Sequence, residues 1–430
     1  MRFTALDDWL RWQETLHPRA IDLGLERACS VLGRLQSQPP APTVITVGGT
    51  NGKGSCVAFL EAMLRAAGYR VGAYTSPHLL RYNERIRIDG VAVDDAALCQ
   101  AFAAIDAARG AISLTYFEFG TLAALRLFRQ AGVDVAVLEV GLGGRLDAVN
   151  LVDADAALVV SVALDHTDWL GAERDSIGYE KAGIYRPERP AICADPDPPP
   201  RLTQYAEAIH ARLLCVNRDY QFVRTGSTWR WQSEARSFEA LPLPTLAGDH
   251  QLGNAAAALM TLTSLGERLA VPITAIRAGL LQAAPPGRCQ SIPGPVEWIL
   301  DVAHNPHAAQ ALADYLRAHP CAGRTWAIIG LLADKDATGI IQALTPVIDA
   351  WYAITLNGDR GRSGEQLAAL LHAAGARAEA ADLHQARHAV QTAACPGDRI
   401  VVFGSFHTVA PLLASQPWLS HSPLPPFREA

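Results

Sequence analysis

Residues 44–55 read V-I-T-V-G-G-T-N-G-K-G-S, and this stretch decides the fold class of the chain. Val44 to Val47 is a short β-branched run that ends in glycines, and apolar residues recur at helical spacing between Lys53 and Ala67. The order of strand, glycines, lysine and helix is typical of a phosphate-binding loop. Glycines let backbone N–H groups converge on phosphate oxygens, and the following helix presents its positive N-terminus.

The loop departs from the standard phosphate-loop pattern, G-x-x-x-x-G-K-[ST]. That pattern requires a glycine where the chain has Val47, and Gly54 separates Lys53 from Ser55. An alternative interpretation is a glycine-rich turn with an incidental lysine. Because the strand, glycines, lysine, hydroxyl and helix occur in the right order, we interpret the stretch as a nucleotide-binding loop.

The chain around this loop alternates between strands and helices, which predicts a parallel sheet covered by helices on both faces. In the first part we expect strands at 69–74, 134–140 and 156–163, helices at 117–130 and 255–269, and a small antiparallel insert at 221–237. After a proline-rich break at 284–287, we expect further strands at 296–302, 325–330, 351–356 and 399–403. The sequence therefore predicts an α/β protein of two domains. An ATP-binding domain with a mostly parallel sheet spans 1–284, and a smaller Rossmann-like α/β domain spans 285–430.

Composition excludes several other classes of protein. The 430 residues are 50% hydrophobic, which is enough for two buried cores. No apolar run approaches the roughly 20 residues that cross a bilayer, and the N-terminus is acidic where a signal peptide would be basic, so we expect a cytoplasmic protein without membrane contact. The eight cysteines form no C-x-x-C pair, which argues against a zinc site or a disulfide framework. A formal charge of −6 without a basic tract gives no support to nucleic-acid binding.

Candidate magnesium ligands follow three of the predicted strands. Glu139 follows the run V-D-V-A-V-L, the pair Asp165-His166 follows L-V-V-S-V-A-L, and Ser76 follows V-G-A-Y-T. Each residue alone is more typical of a satisfied polar side chain at a strand end. Together, at equivalent ends of one predicted sheet and beside a phosphate loop, they indicate a Mg²⁺ site.

A series of longer motifs is similar to one known family. The first domain has, in order, G-T-N-G-K-G-S, T-S-P-H-L-L-R-Y-N-E-R-I-R-I, F-E-F-G-T, L-E-V-G-L-G-G-R-L-D-A-V-N, A-L-D-H-T-D-W-L-G, E-K-A-G-I and H-Q-L-G-N-A-A-A-A. The second domain has P-G-R, D-V-A-H-N-P and G-S-F-H-T-V. Over nearly its whole length the chain resembles the folylpolyglutamate synthase family of the Mur ligase superfamily. The resemblance implies a Mur-ligase-type ATP-binding domain, whose phosphate loop has these displaced glycines, and a C-terminal glutamate-ligase domain.

The resemblance implies an ATP-dependent amide ligase. Members of this family convert a substrate carboxylate to an acyl phosphate, which the amino group of L-glutamate then attacks. Catalysis should rest on positioning and on cations, because negative charge spreads in the transition states. The nucleotide contacts carried over are Thr50, Asn51, Gly52, Lys53, Gly54, Ser55, Asn254, Arg288 and Asp301, and the ligands expected for two Mg²⁺ sites are Ser76, Glu139, His166 and Lys181.

Three of these residues are expected to take part in catalysis, namely Lys53, Lys181 and His304. The resemblance implies that Lys181, in E-K-A-G-I, is carbamylated, which turns an amine into a magnesium-binding carboxylate. Without it, Glu180 and Lys181 would read as a charged pair on a solvated face, and Asp301 as a turn or cap residue after its strand. Carbamylation requires an uncharged amine, which a buried lysine with a lowered pKa supplies.

Three segments are similar to those that bind dihydropteroate in bifunctional bacterial members of the family. They are the segment Asp22, Leu23, Gly24 and Leu25, the segment Thr115, Tyr116, Phe117 and Glu118, and the segment Leu146, Asp147 and Ala148. The first would otherwise be interpreted as a turn followed by a helix. We therefore expect a monomer that adds L-glutamate both to dihydropteroate and to reduced folates, with ATP as co-substrate.

Three alternatives stay open at this point. A folylpolyglutamate synthase without dihydrofolate synthase activity would have the same motifs. A muramoyl-peptide ligase would need an additional N-terminal nucleotide-binding domain, for which about forty residues before the loop are too few. A nucleotide-dependent switch without ligase activity would leave the segment around Asp301 and His304 without a role.

Overall fold

The computed structural model describes residues 2–35, 39–358 and 360–414, and the chain forms two compact units. The first unit comprises 1–245 and 251–284, and the second comprises 246–250 and 285–430. The parts of the predicted domains at 1, 36–38, 359 and 415–430 lie outside the described residues. The assignment of ATP binding to 1–284 and of glutamate ligation to 285–430 stays a prediction.

The first unit is built on an eight-stranded sheet with helices before, between and after its strands. Its elements are α1 (Leu6–Leu16), α2 (Glu26–Arg34), β1 (Thr43–Gly48), α3 (Lys53–Ala66), β2 (Val71–Tyr74), β3 (Ile86–Ile88), β4 (Val91–Ala92), α4 (Asp95–Arg109), α5 (Tyr116–Ala131), β5 (Val135–Glu139), β6 (Ala156–Val159), α6 (Thr167–Leu170), α7 (Arg174–Ala182), β7 (Pro190–Cys193), α8 (Pro200–Ala208) and β8 (Arg212–Cys215). The strand order is β4-β3-β2-β5-β1-β6-β7-β8. In this spatial order, β2, β5, β1, β6, β7 and β8 pair in parallel, whereas β3 and β4 form an antiparallel edge next to β2. The mostly parallel sheet is confirmed, and the short antiparallel edge was not predicted.

A small antiparallel sheet and two helices complete the first unit. The sheet consists of β9 (Tyr220–Thr225), β10 (Thr228–Ser233) and β11 (Ser237–Pro242), which confirms the predicted insert and extends it. It precedes α9 (His250–Leu265) and α10 (Ile273–Gln282). The helix predicted to reach residue 269 ends earlier, because Gly266 takes a left-handed φ of 56° and a 3₁₀ turn follows.

The second unit contains a six-stranded sheet. Its elements are β12 (Gln290–Ile292), β13 (Glu297–Leu300), α11 (Pro306–Ala318), β14 (Thr325–Ile329), α12 (Ala337–Leu344), β15 (Ala350–Ile354), α13 (Gly364–Ala373), β16 (Ala378–Ala381), α14 (Leu383–Ala393), β17 (Arg399–Phe403) and α15 (Phe406–Ala414). The order is β12-β13-β17-β14-β15-β16, with every pair parallel except β12–β13. The predicted strands are therefore present, and the Rossmann-like α/β character is confirmed.

Apolar packing fixes α3 and α5 in the first unit. Phe59 on α3 and Phe128 on α5 are fully buried, and burying such a side chain stabilises the fold by about 1.5–3 kcal/mol. Close approach depends on glycine: a Cβ on Gly72 of β2 would lie 2.5 Å from Phe128, and one on Gly279 of α10 would lie 2.5 Å from Met63. The helix that follows the phosphate loop thus packs closely against α10, and α5 packs closely against β2.

Among the described residues, no helix combines the length and the apolar character that crossing a bilayer requires.

Candidate nucleotide and substrate site

The phosphate loop connects β1 to α3 in the first unit. Gly52 occupies the N-cap position with a φ of 86°, and a Cβ there would lie 2.6 Å from Oδ1 of Asn254. A side chain at position 52 is therefore excluded both by conformation and by space. Lys53 Nζ donates to the carbonyl oxygens of Gly49 (3.0 Å) and Thr50 (3.1 Å), so the lysine closes its own loop.

The segment after β6 holds the phosphate loop in place. The N–H of Thr50 donates to the carbonyl of Ser161 (2.7 Å), and its hydroxyl exchanges hydrogen bonds with the backbone of Ala163 at 3.1 and 3.0 Å. The N–H of Asn51 donates to Oγ of Ser161 (3.0 Å). These bonds explain why β6 ends at Val159 and not at residue 163, since the later backbone groups bond to the loop. Sequence reasoning gave Ser161 no role.

The remaining nucleotide candidates of this unit lie close to the loop. Gly54 and Ser55 are in the first turn of α3, and Ser55 is buried. Asn254 is buried on α9, where its carbonyl accepts from Sγ of Cys56 and its side-chain amide donates to Gln251. Five consecutive loop residues, Ser55 and Asn254 are therefore brought together as predicted, whereas their contacts to ATP stay predictions.

Of the three metal candidates that follow strands, Ser76 and Glu139 are in direct contact. Glu139 ends β5, and its Oε2 accepts from the backbone N–H of Ser76 at 3.2 Å. Burial raises the pKa of Cys56 on the first turn of α3, and the charge of Glu139 adds to that rise, which shows that the carboxylate lies close to the phosphate-loop helix. His166 precedes α6 with a φ of 52°, an uncommon conformation for a histidine.

The donor set at this edge fits a divalent cation. It combines the carboxylate of Glu139, the hydroxyl of Ser76 and the imidazole of His166, and Mg²⁺ accepts such a sparse protein set when phosphate oxygens and waters complete its shell. Glu139 is also a buried carboxylate, which is costly unless a cation or hydrogen bonds compensate it. No group of three or more His, Cys, Asp or Glu side chains suited to a metal ion occurs in the described part of the chain.

Lys181 is buried on α7, so the alternative of a charged pair on a solvated face is wrong. Its neighbour Glu180 pairs instead with Arg145 at 2.9 Å. Burial and, to a lesser extent, the positive charge of Lys53 lower the pKa of Lys181 to about 7, although the charges of Asp165 and Asp147 act in the opposite direction. The structure thus brings Lys181 close to the phosphate loop and supplies an amine that is partly uncharged near neutral pH.

The three substrate segments meet at the N-terminal end of α5. The N–H of Gly24 donates to the carbonyl of Leu146 (3.3 Å). Arg27 lies between two of the segments, bonded to Asp22 at 2.5 Å and to Glu118 at 3.2 Å. The three segments that resemble a pterin site are therefore neighbours, although about ninety residues separate the first from the second in the chain.

Within these segments several polar groups are already used by the protein. Thr115 and Glu118 form a reciprocal capping box at the start of α5. Asp147 accepts from the N–H groups of Leu142 (2.8 Å) and Val149 (3.0 Å), and burial raises its pKa to about 6 against the opposing effect of these bonds. Their carboxylates shape the segments, and direct contacts to substrate stay predictions.

Apolar side chains of the same segments pack beside the sheet. The ring of Phe117 lies so close to Gly141 that a Cβ there would come within 2.6 Å of it. Phe117 and Tyr74 have ring centroids 5.8 Å apart. Leu23, Leu25, Tyr116 and Phe117 are half-buried, whereas Ala148 is buried.

In the second unit, the three predicted residues surround the end of β13. Asp301 accepts from the N–H groups of Cys289 and Ala303, both at 2.7 Å, which is the turn role considered from the sequence. Arg288 lies over the ring of Phe406 at 5.3 Å. Nδ1 of His304 donates to the carbonyl of Val302 (2.8 Å), because a carbonyl only accepts. The structure brings the three together, and their roles toward nucleotide and substrate stay predictions.

Comparisons with known proteins agree with this geometry. Residues 287–406 match the family model described as "Mur ligase, glutamate ligase domain". A dihydrofolate synthase/folylpolyglutamate synthase of Escherichia coli is 48% identical over 407 residues, covering 95% of this chain and 94% of that protein. A solved structure of E. coli FolC in complex with DHPP and ADP matches with a TM-score of 0.92 at 48% identity, covering 96% of this chain and 97% of the other.

A second solved structure adds two further ligands. It is a bifunctional folylpolyglutamate synthase/dihydrofolate synthase with Mn, AMPPNP and L-glutamate bound, and it matches with a TM-score of 0.89 at 47% identity. The alignment covers 96% of this chain and 98% of the other. Because the identity is high over nearly the full length of both chains, this chain belongs to the dihydrofolate synthase/folylpolyglutamate synthase family.

Proposed function

We propose that this chain is an ATP-dependent ligase that joins L-glutamate to 7,8-dihydropteroate, giving dihydrofolate, and to reduced folates, giving polyglutamates. The proposal rests on the finding that the phosphate loop, a buried lysine and the three pterin-type segments lie in the same unit. A phosphate loop closed by Lys53 lies close to the buried Lys181, and three pterin-type segments meet beside the same sheet. The full-length match to bifunctional relatives supports both activities.

The reaction needs two steps because a carboxylate is a poor acyl donor. In the first, a carboxylate oxygen of the substrate attacks the γ-phosphorus of ATP, the bond to the β-phosphate oxygen breaks, and ADP leaves. In the second, the uncharged amine of L-glutamate attacks the acyl carbon, phosphate leaves with its electron pair, and the nitrogen loses a proton. Neither step requires a nucleophile from the protein, so positioning and charge stabilisation account for catalysis.

The phosphate loop is suited to the first step. The N–H groups at the start of α3 would bind the phosphates, and the loop would need little rearrangement because Thr50 and Asn51 are already held by Ser161 and Ala163. Lys53 would exchange its two carbonyl acceptors for phosphate oxygens. We assign the ATP contacts to Thr50–Ser55 and Asn254, and in the second unit to Arg288 and Asp301.

A divalent cation would neutralise phosphate charge in both steps. Ser76, Glu139 and His166 would hold one ion, and a carbamylated Lys181 together with His166 would serve a second. The low pKa of Lys181 supports carbamylation, since only the uncharged amine reacts with carbon dioxide.

The substrate segments support a pterin-bearing acceptor. We assign it to Asp22–Leu25, Thr115–Glu118 and Leu146–Ala148, where half-buried apolar side chains alternate with oriented carboxylates. Such a mixture suits a flat heterocycle with several hydrogen-bond donors. His304 is assigned to the glutamate-ligase unit near the attacking amine. Cytoplasmic location and a monomeric state belong to the same proposal.

Phosphate release from Mg-ATP tests the function directly. Purified protein is given dihydropteroate or tetrahydrofolate, each with and without L-glutamate. Glutamate-dependent release with both acceptors is expected. Release only with tetrahydrofolate would indicate a folylpolyglutamate synthase and contradict our assignment of Asp22–Leu25, and no release with either would contradict ligase activity and favour a nucleotide-dependent switch.

A further inference from the structure

Arg85 is a buried cation that the proposed mechanism has not used. It ends the 3₁₀ turn Tyr82–Arg85 in the motif S-P-H-L-L-R-Y-N-E-R, and only 9% of its surface is exposed. Buried guanidinium groups are almost always paired with carboxylates, because an isolated buried charge is expensive. Within the described ranges, no ion pair includes Arg85, which sets it apart from its neighbours.

The neighbouring arginines of the same motif show the contrast. Arg87 is saturated by Glu61 at 2.8 Å, with further bonds to Thr75 and Glu84. Arg81 is exposed and pairs with Asp95 at 2.9 Å. Arg85 instead donates its Nε to Nδ1 of His78 at 2.9 Å. Since arginine only donates, Nδ1 of His78 is the acceptor, and this bond orients the guanidinium without neutralising it.

Two aromatic rings lie close to the guanidinium of Arg85. Cζ of Arg85 lies 5.2 Å from the ring centre of Tyr82 and 5.4 Å from that of Tyr116. The tyrosine faces stabilise the cation partially and hold its plane. The two terminal nitrogens have no hydrogen-bond partner in the described part of the chain, and neither is among the fully enclosed polar atoms that lack one. They are therefore accessible to a ligand.

The position of Arg85 connects the two halves of the candidate site. Tyr116 belongs to the substrate segment Thr115–Glu118, and His78 lies two residues after Ser76, next to Glu139. A group bound at the terminal nitrogens would thus lie between the pterin segments and the phosphate-binding edge. In the proposed reaction that is where the substrate carboxylate has to be when it meets the γ-phosphate.

We infer that Arg85 binds the reacting carboxylate of dihydropteroate through its terminal nitrogens and keeps contact with the acyl phosphate that replaces it. The inference rests on the proposed function. A planar fork of donors matches a carboxylate in two parallel hydrogen bonds. The contact strengthens as negative charge accumulates on the transferred group, so Arg85 would assist the first step as well as binding.

The test compares two ligands that differ at a single group, 7,8-dihydropteroate and its primary carboxamide. Binding to the ATP-free protein is measured by calorimetry for the wild type, Arg85→Gln, Arg85→Lys and the control Arg81→Gln. We expect Arg85→Gln to weaken dihydropteroate binding about 10- to 100-fold and to leave carboxamide binding unchanged. Arg85→Lys should fall between, and Arg81→Gln should bind both ligands like the wild type.

Two results would overturn the inference. Equal weakening of both ligands by Arg85→Gln would assign the arginine a structural role. A wild type that binds the carboxamide as tightly as the carboxylate would exclude carboxylate recognition, and this comparison stands even if Arg85→Gln fails to fold. Binding needs no turnover, so a wild type that discriminates the ligands but releases no glutamate-dependent phosphate would contradict the proposed function and support the role of Arg85.

Discussion

The positive charges of the phosphate loop and those of the substrate segments have different surroundings. Among the described residues, the hydrogen-bond acceptors of Lys53 are all backbone carbonyls, and Lys181 is buried near it with a lowered pKa. Arg27, which lies between two of the substrate segments, is instead neutralised by Asp22 and Glu118. Charges left without carboxylate partners are available to a ligand, whereas paired charges stabilise the fold. Substitutions of Lys53, of Lys181 and of Arg85, which has no ion pair in the described part of the chain, should accordingly reduce binding or catalysis, whereas substitutions in the ion pairs of Arg27 should reduce stability.

Replacing Lys53 should give the largest effect. Lys53→Met is expected to lower kcat by about 10³-fold, since it removes a cation from the transferred phosphate, while the melting temperature stays close to that of the wild type. Lys53→Arg should also be poorly active, because a guanidinium fork does not replace a compact ammonium. Steady-state phosphate release and thermal denaturation measure the two quantities. A melting temperature of Lys53→Met many degrees below that of the wild type would contradict the view that charges at the phosphate loop serve catalysis and not stability.

Lys181→Ala is the next largest change. We expect a loss of activity on the order of 10²-fold that added bicarbonate does not repair, because the carbamate ligand is gone. The chain contains three lysines, so a ¹³C signal from labelled bicarbonate has few possible sources. A carbamate signal in the wild type that persists in Lys181→Ala would assign the modification elsewhere.

The pKa of Lys181 predicts how activity depends on pH. With a pKa of about 7, the uncharged fraction rises about tenfold between pH 6 and pH 8, and carbamylation should rise with it. The stability of the fold should also rise with pH. Between pH 7 and the ordinary pKa of a lysine, Lys181 is mostly uncharged in the folded state but protonated in the unfolded state. Because the unfolded state binds more protons in this range, the free energy of unfolding increases with pH. Activity under controlled carbon dioxide, divided by that of the same protein at saturating bicarbonate, separates this effect from other titrations. A flat ratio would contradict it.

Gly52→Ala probes the backbone of the loop. The positive φ and the approach of Asn254 should together cost about 1–3 kcal/mol of folding free energy and weaken ATP binding. Gly68→Ala is the matched control, since Gly68 has a φ of 92° but no atom near its Cβ position. Urea denaturation and nucleotide titration of both variants separate conformational strain from crowding. Equal losses in both variants would show that Asn254 contributes nothing.

Glu118→Gln should have the smallest effect, and one that appears in stability. Glutamine keeps the capping box, so the change removes mainly the charge opposite Arg27 and is expected to cost about 1 kcal/mol. Glu207→Gln on the exposed face of α8 serves as the control and should cost nothing measurable. Loss of catalysis without loss of stability in Glu118→Gln would show that the proposed substrate contact of Glu118 matters more than its pairing with Arg27.

Local pattern was sufficient for much of the fold. The predicted strands of both sheets are present because their apolar runs are long and β-branched, and Arg399–Phe403 matches its prediction residue by residue. The short edge strands β3, β4 and β12 were not predicted, since two or three residues carry no periodicity, and the four-residue strands β7, β8 and β16 were not predicted either. The end of β6 was placed too late because its boundary depends on hydrogen bonds to a loop more than a hundred residues earlier.

The candidate site was less accessible to sequence reasoning. Motifs identified the loop, and the structure brings its residues together with Glu139 and Lys181, but no pattern distinguishes Arg85 from Arg87. The difference between the two arginines is that Glu61, 26 residues before Arg87 in the chain, pairs with Arg87 and not with Arg85. The burial of Lys181 depends in the same way on tertiary packing, and the roles of the site residues stay predictions.

The topology of the large sheet has a consequence for biosynthesis. The strand that leads into the phosphate loop pairs with β5 and β6, so its partners end only at Val159, and Asn254 closes on Gly52 later still. A nascent chain emerging from the ribosome therefore exposes the apolar strand β1 for about ninety residues before its first partner, β5, is synthesised, and for more than a hundred before β6 follows. Such non-local pairing is slow and leaves unpaired strand edges open to association. Co-translational folding of the first unit should accordingly depend on chaperones until β5 and β6 have been synthesised.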